Sequence, residues 1–224
     1  MPDLTREGPV AVLHLGDDEN RFSPAWIDEV DRLLDQVLDG TDSSGLVTVA
    51  DGRFWSNGLD IAWIAAHPDQ LEDYLGRVHA LLARFLTCPV PTAAAVSGHA
   101  FGAGAMLALA HDWRFMRADR GFLCLPEVDL GISFSAGMLA VLTAKLTPAQ
   151  ATDLLLTGRR FGGGEAQAAG LVLAAVPQPE LQSRAVAHVQ QLAGKPASAL
   201  GPIKRDLYAA AVAALGGDLA RVPA

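Results

Sequence analysis

Cysteine is scarce in this chain: of 224 residues only Cys88 and Cys124 carry a thiol, and no CxxC or zinc-like spacing joins them. That excludes a disulfide framework and a zinc-finger type of domain, and two free thiols fit a reducing cytoplasm. Basic residues are outnumbered, 17 Lys and Arg against 25 Asp and Glu, for a net charge of −8. Nucleic acid is gripped through clustered Lys and Arg on phosphates, so a general nucleic-acid binder is excluded too. An anionic small molecule is not excluded, because a few local cations suffice for it. The opening MPDLTREG has no apolar signal core and the ending RVPA matches no targeting address, which makes the cytoplasm the expected location. Long hydrophobic runs are also missing. Val90 to Ala110 comes nearest and includes a Gly98…Gly102 GxxxG, but Pro91, Thr92, Ser97 and His99 interrupt it. A spanning helix needs about 20 apolar residues without such breaks, so the stretch reads as strand, loop and helix, and no membrane partner is expected. There is no internal repeat, no low-complexity segment, no HExxH and no GxSxG serine.

What the chain does have is apolar bulk and glycine: half its residues are hydrophobic and 22 are Gly. That is enough for one domain with a sizeable core, tight helix packing and several special turns. Val10 to Leu15 reads as a strand. Ser23 and Pro24 suit the N-cap and first position of a helix whose apolar face is Trp26, Ile27, Val30, Leu33, Leu34, Val37 and Leu38, ending at Gly40. Further strands are predicted at Leu46–Ala50, Thr92–Val96, Trp113–Met116 and Leu171–Val176, with Phe122–Leu125 extended before Pro126. Helices are predicted from Asp60, over Pro68–Leu86, Ala103–Ala110, Ser135–Ala144, Pro148–Leu156 and Gly164–Ala169, and from Pro179 onward with a break at Gly194-Lys-Pro196. Strands alternating with helices imply an α/β fold with a helical tail.

Two of these strands run into a Gly-containing turn and then a helix: Leu46–Ala50 through Arg53-Phe-Trp-Ser-Asn-Gly-Leu-Asp60, and Thr92–Val96 through Gly102 to Ala103. The first N–H groups of a helix lack intrahelical partners and sit at the positive end of its dipole. The N–H groups of Leu59 and Ala103 can therefore converge on one oxygen as an oxyanion hole, with Gly58, Gly102 and Gly104 letting a ligand come close. The alternative is that these are ordinary Gly-rich connections between packed elements. Gly102-Ala-Gly104 is too short for a dinucleotide fingerprint, since Leu107 stands where a third Gly belongs. A third element is Leu125-Pro-Glu-Val-Asp-Leu-Gly131. Glu127 there is flanked by apolar residues, and facing a pocket it would have its ionised form disfavoured and approach a useful base strength. Asp129 is a backup carboxylate if the segment is extended. His99 and His111 read as packed side chains, Asp60 as a helix cap or a support of the turn.

Together, FWSNGLD, VSGHAFGAGAMLALAHD and LPEVDLGI resemble three motifs of the crotonase (enoyl-CoA hydratase/isomerase) superfamily, in order and at fitting separations from about Val10 to Val176. FMRADRGFLCLPEVDLGI and FWSNGLD are similar to monofunctional Δ3,Δ2-enoyl-CoA isomerases. The resemblance implies a crotonase-type spiral α/β core of ββα repeats over residues 1–177, followed by a helical segment, 178–224, for oligomerisation or a lid. It implies homotrimers or hexamers, and the tail face of Leu207, Ala210, Ala213 and Leu215 is compatible with an interface. It also implies an acyl-CoA thioester as substrate, with no separate cofactor and no metal. On it the oxyanion donors fall on Leu59 and Ala103, the retained carboxylate on Glu127, and a structural aspartate on Asp112. Met106 stands where hydratases of the family carry a second Glu. With one carboxylate left, the implied reaction is transfer of a proton from C2 to C4 of an enoyl thioester, in fatty-acid oxidation, inside a dry pocket near Met106, Trp55, Phe101 and Phe134. Ser56, Gly58, Asp60, Gly102, Met106 and Phe134 are the expected substrate contacts. Arg21, before the first long helix, is the first candidate for the CoA phosphates, ahead of Arg53, Lys204 and Arg205.

Overall fold

The computed structural model describes residues 1–39 and 44–216. The chain winds in repeated turns, each contributing one strand to a main sheet, one to a smaller sheet and then a helix. The first turn is β2 (Val10–His14), β3 (Arg21–Phe22) and α1 (Pro24–Asp39), preceded by an edge strand β1 (Asp3–Glu7). The second is β4 (Gly45–Val49), β5 (Phe54–Ser56), β6 (Gly58–Leu59), α2 (Ile61–Ala66) and α3 (Leu71–Leu86). The third is β7 (Thr92–Val96), β8 (His99–Phe101) and α4 (Ala103–Ala110); the fourth is β9 (Trp113–Arg117), β10 (Leu123–Cys124), α5 (Glu127–Leu130) and α6 (Ala136–Lys145). There follow α7 (Pro148–Thr157), α8 (Gly163–Ala168), β11 (Ala174–Val176), α9 (Gln178–Leu192), α10 (Ala197–Leu207) and α11 (Ala209–Ala214).

The main sheet has the order β1-β2-β4-β7-β9-β11, parallel except for β1 against β2. Because strand side chains alternate, each of its strands feeds two cores. Val10, Val12, Val47, Val49, Ala93 and Ala95 face Leu181, Ala185, Val186 and Val189 of α9. Ala11, Leu13, Leu46, Ala94 and Val96 face the larger core built with α1, α3 and α4. The α1 helix forms as its sequence suggests. Ser23 Oγ accepts from the Trp26 N–H (3.3 Å), and Trp26, Ile27, Val30, Leu33, Leu34 and Val37 are buried. Each such side chain contributes roughly 1.5–3 kcal/mol when fully buried, so the apolar stripe rather than propensity holds this helix in place. Its expected end, Gly40, lies outside the described residues.

Four expectations need correction. The Ser97–Gly102 connection holds β8, which pairs with β5 and β10 in a second, parallel sheet of order β10-β8-β5. Three residues give no period, and their partners lie far away in sequence. Edge strand β1, DLTRE, is mostly exposed and lacks the apolar alternation that would reveal it. The strand expected over Leu171–Val176 is only Ala174–Val176. Glu127 opens a helical turn rather than an extended segment, closed by the left-handed Gly131 at φ 67°.

Among the described residues no helix is long and apolar enough to cross a membrane. Both cysteines are buried and free. In the tail, Ala211, Val212 and Leu215 pack against the body, while Leu207, Ala210 and Ala213 stay exposed.

Candidate active site

The strands of the small sheet run side by side, and each delivers one functional turn from its C-terminal end. Strand β5 leads to Gly58 and Leu59, β8 leads to Gly102 and Ala103, and β10 leads to Glu127. Two glycines fix the first two turns. At Gly58 φ is 75°, and a methyl group there would stand 2.7 Å from Phe101 O and 2.8 Å from Ala103 N. The Gly58–Leu59 peptide is therefore pressed against the amide of Ala103. At Gly102 φ is 53°, a conformation that side chains rarely adopt. A methyl on Gly104 would collide with the Ser56 carbonyl. Gly58 and Gly104 thus let two backbone segments meet; they are not, as expected, simply openings for a ligand.

Ala103 is the first residue of α4, and its cap Gly102 has no side chain to offer. Its N–H has no intrahelical acceptor and sits at the positive helix end. Leu59 differs from expectation. It precedes the N-cap Asp60 and belongs to β6, paired with Arg21–Phe22, so its N–H is aimed by strand pairing and not by a helix terminus.

Glu127 completes the arrangement. It is 7% exposed, its Oε2 has no hydrogen-bond partner, and Oε1 lies 3.4 Å from where a methyl on Gly102 would be. Burial pushes its carboxyl up to about 6, opposed only by its own backbone N–H. A lone buried carboxyl beside the amide of Ala103 can take and return a proton near neutral pH. Met106, one turn into α4, is 1% exposed and donates its N–H to Gly102 O (3.0 Å). A thioether there holds no proton to give. Phe134, between α5 and α6, is partly buried against the main core.

The other expected residues take supporting places. Ser56 was expected to touch substrate, but it is fully buried, its hydroxyl donating to Asn20 O (2.8 Å) and accepting from Gly58 N (3.1 Å). It shapes the turn from inside. Asp60 caps α2, its Oδ1 accepting from Trp63 N (3.1 Å), and its own N–H donates to Tyr74 Oη (3.0 Å). Arg21 bonds Glu19 (2.6 Å) and Leu59 O (3.2 Å), and it lines a cavity of about 320 Å³ together with three carboxylates, Asp18, Glu19 and Asp60, so a phosphate there would have to displace Glu19 from it. Trp55 is wholly buried and packs edge-on to His111, so it is core and not pocket wall. The Phe101 ring lies with His99 (5.0 Å) and under Arg160 (5.6 Å). Asp129 does not back up Glu127: on a helical turn residues two apart diverge, and its carboxylate abuts Gly158. His111 is held by Thr48 Oγ1 (2.9 Å) and Leu107 O (2.8 Å), and burial pushes it down to about 3, a neutral core side chain. Lys204 is buried on Asp112 (2.5 Å) and far from a free phosphate ligand's role. Among the described residues no three His, Cys, Asp or Glu side chains are grouped to hold a metal ion.

Two supports escaped the sequence reading. Asn20 is buried at φ 47°, and its Nδ2 reaches the carbonyls of Phe54 (3.3 Å) and Trp55 (3.1 Å). An Asn after Asp-Asp-Glu, ready for a left-handed turn, was the available signal. Tyr74 gave none, since it acts only through its contact with Asp60.

A spiral of ββα turns with two glycine turns packed together and one buried glutamate beside them defines a class, and the comparisons agree. Over residues 5–219 the chain matches the enoyl-CoA hydratase/isomerase family, and it belongs to that family. Enoyl-CoA delta isomerase 2, peroxisomal, of Arabidopsis thaliana is 40% identical over 181 residues, covering 77% of this chain and 75% of its own. Carnitinyl-CoA dehydratase of Escherichia coli K12 is 35% identical over 163 residues, covering 73% of this chain and 62% of its own. Among solved structures, a Mycobacterium tuberculosis protein called a probable enoyl-CoA hydratase in one structure and an enoyl-CoA isomerase in another superposes with TM-scores of 0.88 and 0.87 at 26% identity, covering 96% of this chain and 91% and 94% of those chains. A family protein from Pseudomonas syringae, at 24% identity and a TM-score of 0.89 over 96% and 93% of the two chains, shows the fold alone. The crotonase-type spiral expected from the motifs is the fold of this chain.

Proposed function

We propose that this chain is a Δ3,Δ2-enoyl-CoA isomerase of fatty-acid oxidation in which Glu127 moves the proton. The observation that carries the reading is the count of acids: one buried carboxyl without a partner at Glu127, and Met106 where a second would stand. The carboxylate of Glu127 removes a proton from C2. The electron pair flows toward the thioester carbonyl, whose oxygen takes negative charge and is held by the N–H groups of Leu59 and Ala103. Glu127 then returns the proton at C4, leaving the double bond between C2 and C3. Each donor of such a hole typically lowers the barrier by about 3–4 kcal/mol, because it is already aimed before charge develops. No step consumes water, which suits a site whose acid is largely buried. The names of the two Arabidopsis delta isomerases, each 40% identical, support this reading. In it Arg21 neutralises a CoA phosphate at its cavity beside Asp60, and no further cofactor is needed.

Addition or removal of water is the second reading, favoured by the 35% identity to carnitinyl-CoA dehydratase. Incubation with 3-enoyl- and 2-enoyl-CoA thioesters of several chain lengths, read by mass and double-bond position, separates the two. Isomerase activity predicts interconversion at constant mass, lost roughly 10²–10⁴-fold in Glu127→Gln while thioester binding persists. A gain of 18 mass units on 2-enoyl-CoA as the main reaction would overturn it, as would binding without turnover across the whole panel. We further propose cytoplasmic homotrimers or hexamers; light scattering on the purified protein and cell fractionation check both.

A further inference from the structure

We propose a second ligand site, for the carboxylate of a medium-chain fatty acid, in the cavity between α9, α10 and the starts of β7 and β9. The cavity measures about 350 Å³ and is walled by Pro91, Trp113, Leu192, Ile203 and Leu207. It lies at the N-terminal ends of β7 and β9, whereas the turns that carry Ala103 and Glu127 lie beyond the C-terminal ends of β8 and β10. The two sites therefore share no lining residue, and the inference stands apart from the isomerase reading.

The polar side of the cavity is built for a negative charge. The chain has three lysines, and all of them gather here: Lys195 and Lys204 line the cavity, and Lys145 donates to its Tyr208 hydroxyl (3.1 Å). Asp112 is the one lining carboxylate, and its Oδ2 is already committed to Thr92 N (2.8 Å), Thr92 Oγ1 (3.1 Å) and Lys204 Nζ (2.5 Å). Behind it, Arg114 donates only to the carbonyls of Leu109, His111 and Leu171. Among the described residues Lys145, Arg114 and Lys204 thus share a single carboxylate, with Lys204 also donating to Val90 O (2.8 Å). Burial and the charge of Arg114 push Lys145 down to about 8, the response of a cation with too little counter-charge. Lys195 stands exposed at the mouth with no ion pair among the described residues.

The apolar side selects the rest of the ligand. Ile203 and Leu207 are 60% and 67% exposed on α10, one turn apart, and continue the wall of Trp113 and Leu192 outward. A small inorganic anion would leave this wall bare, and an uncharged alcohol would leave the cations uncompensated. A carboxylate headed by Tyr208 Oη and Lys195, with its tail over Ile203 and Leu207, satisfies both. The volume is at the low end of the ~300–1,000 Å³ usual for ligand pockets, and the exposed Ile203 and Leu207 offer a medium-chain tail an apolar surface one helical turn long.

Calorimetric titration of the full chain with octanoate, octan-1-ol and acetate tests this. Octanoate is expected to bind saturably, one per chain, and about tenfold or more tighter than either control. Ile203→Glu and Lys195→Glu, both at exposed positions, are expected to weaken octanoate by about tenfold or more while leaving turnover of enoyl-CoA thioesters unchanged. Equal binding of octan-1-ol, competition by an acyl-CoA, or indifference to both substitutions would overturn the site. So would a change in assembly mass in Ile203→Glu, which would make this face a contact between copies of the chain.

Discussion

Glu127 and Asp112 are both largely buried carboxylates, held at opposite ends of the same spiral, and their surroundings could hardly differ more. Asp112 accepts from the backbone and hydroxyl of Thr92 and from the Lys204 ammonium, with Lys204 in turn donating to Val90 O (2.8 Å). Glu127 has an Oε2 with no hydrogen-bond partner among the described residues, and its carboxyl is pushed up to about 6 by burial. A paired acid ties the tail helix α10 to the start of β7. An unpaired one is a liability to folding that is retained only where a proton has to move. The contrast is the physical ground, independent of any relative, for proposing Glu127 and not Asp112 as the acid that does chemistry.

The sharpest way to break the comparison is to orphan Asp112 as well. In Lys204→Met the carboxylate stays buried with its cation gone, and removing one partner of a buried pair typically costs about 3–5 kcal/mol. Chemical denaturation should show that loss, while thioester turnover per folded molecule stays within about twofold, because the catalytic turns are at the other end. A turnover loss as large as that of Glu127→Gln would mean Asp112 belongs to the chemistry.

Next in size is Gly102→Ala, which attacks the other acid through its neighbour. The new residue must adopt φ 53°, which side chains rarely do, and although its methyl would meet Glu127 Oε1 at an ordinary 3.4 Å, relief of the backbone strain moves the Ala103 amide. Turnover is expected to fall about 10²–10³-fold, the size of one lost oxyanion donor, with binding affinity for the CoA thioester changed far less. Steady-state kinetics on a 3-enoyl-CoA decide it; a fall confined to KM would place the defect in binding instead.

How much of this was open to sequence reasoning divides along the same line. The burial of Glu127 was suggested by its apolar neighbours, whereas the meaning of Met106 came only through the resemblance to a family. The α1 cap, the four inner strands of the main sheet and the two glycine turns were legible, since cap residues, apolar runs and glycines are local signals; edge strand β1 and the short extent of β11 were not. The destination of Lys204 was not: a lysine in a mixed helix looks like a surface charge until Asp112, 92 residues earlier, is seen beside it. Strand β8 and the strand position of Leu59 were hidden for the same reason, as both exist only through partners from distant turns. Ser56 looked like a substrate contact because a serine in an exposed-looking turn gives no sign that Asn20 will cover it. Local chemistry was readable; burial and pairing across the spiral were not.

The smallest expected effect tests the claim that Glu127 is a liability to folding. Its carboxyl is neutral in both folded and unfolded chains well below pH 4.5, so burial then has no electrostatic consequence. As the pH rises through 4.5 the unfolded carboxyl ionises first, and by the time it passes about 6 the folded one must carry its charge in an apolar site. A shift of that size corresponds to at most ~2 kcal/mol, and to about 1 once solvent reaching the carboxyl is allowed for. Glu127→Gln is therefore expected to be more stable than the parent by about 1 kcal/mol at pH 8 and no different at pH 4. Turnover of the parent should follow the same ionisation in reverse, rising about tenfold per pH unit below 6 and levelling above it. Thermal melts at the two pH values and a pH–rate profile measure both. A Gln variant less stable at pH 8 would show that Glu127 is paired after all, and the distinction from Asp112 would be lost.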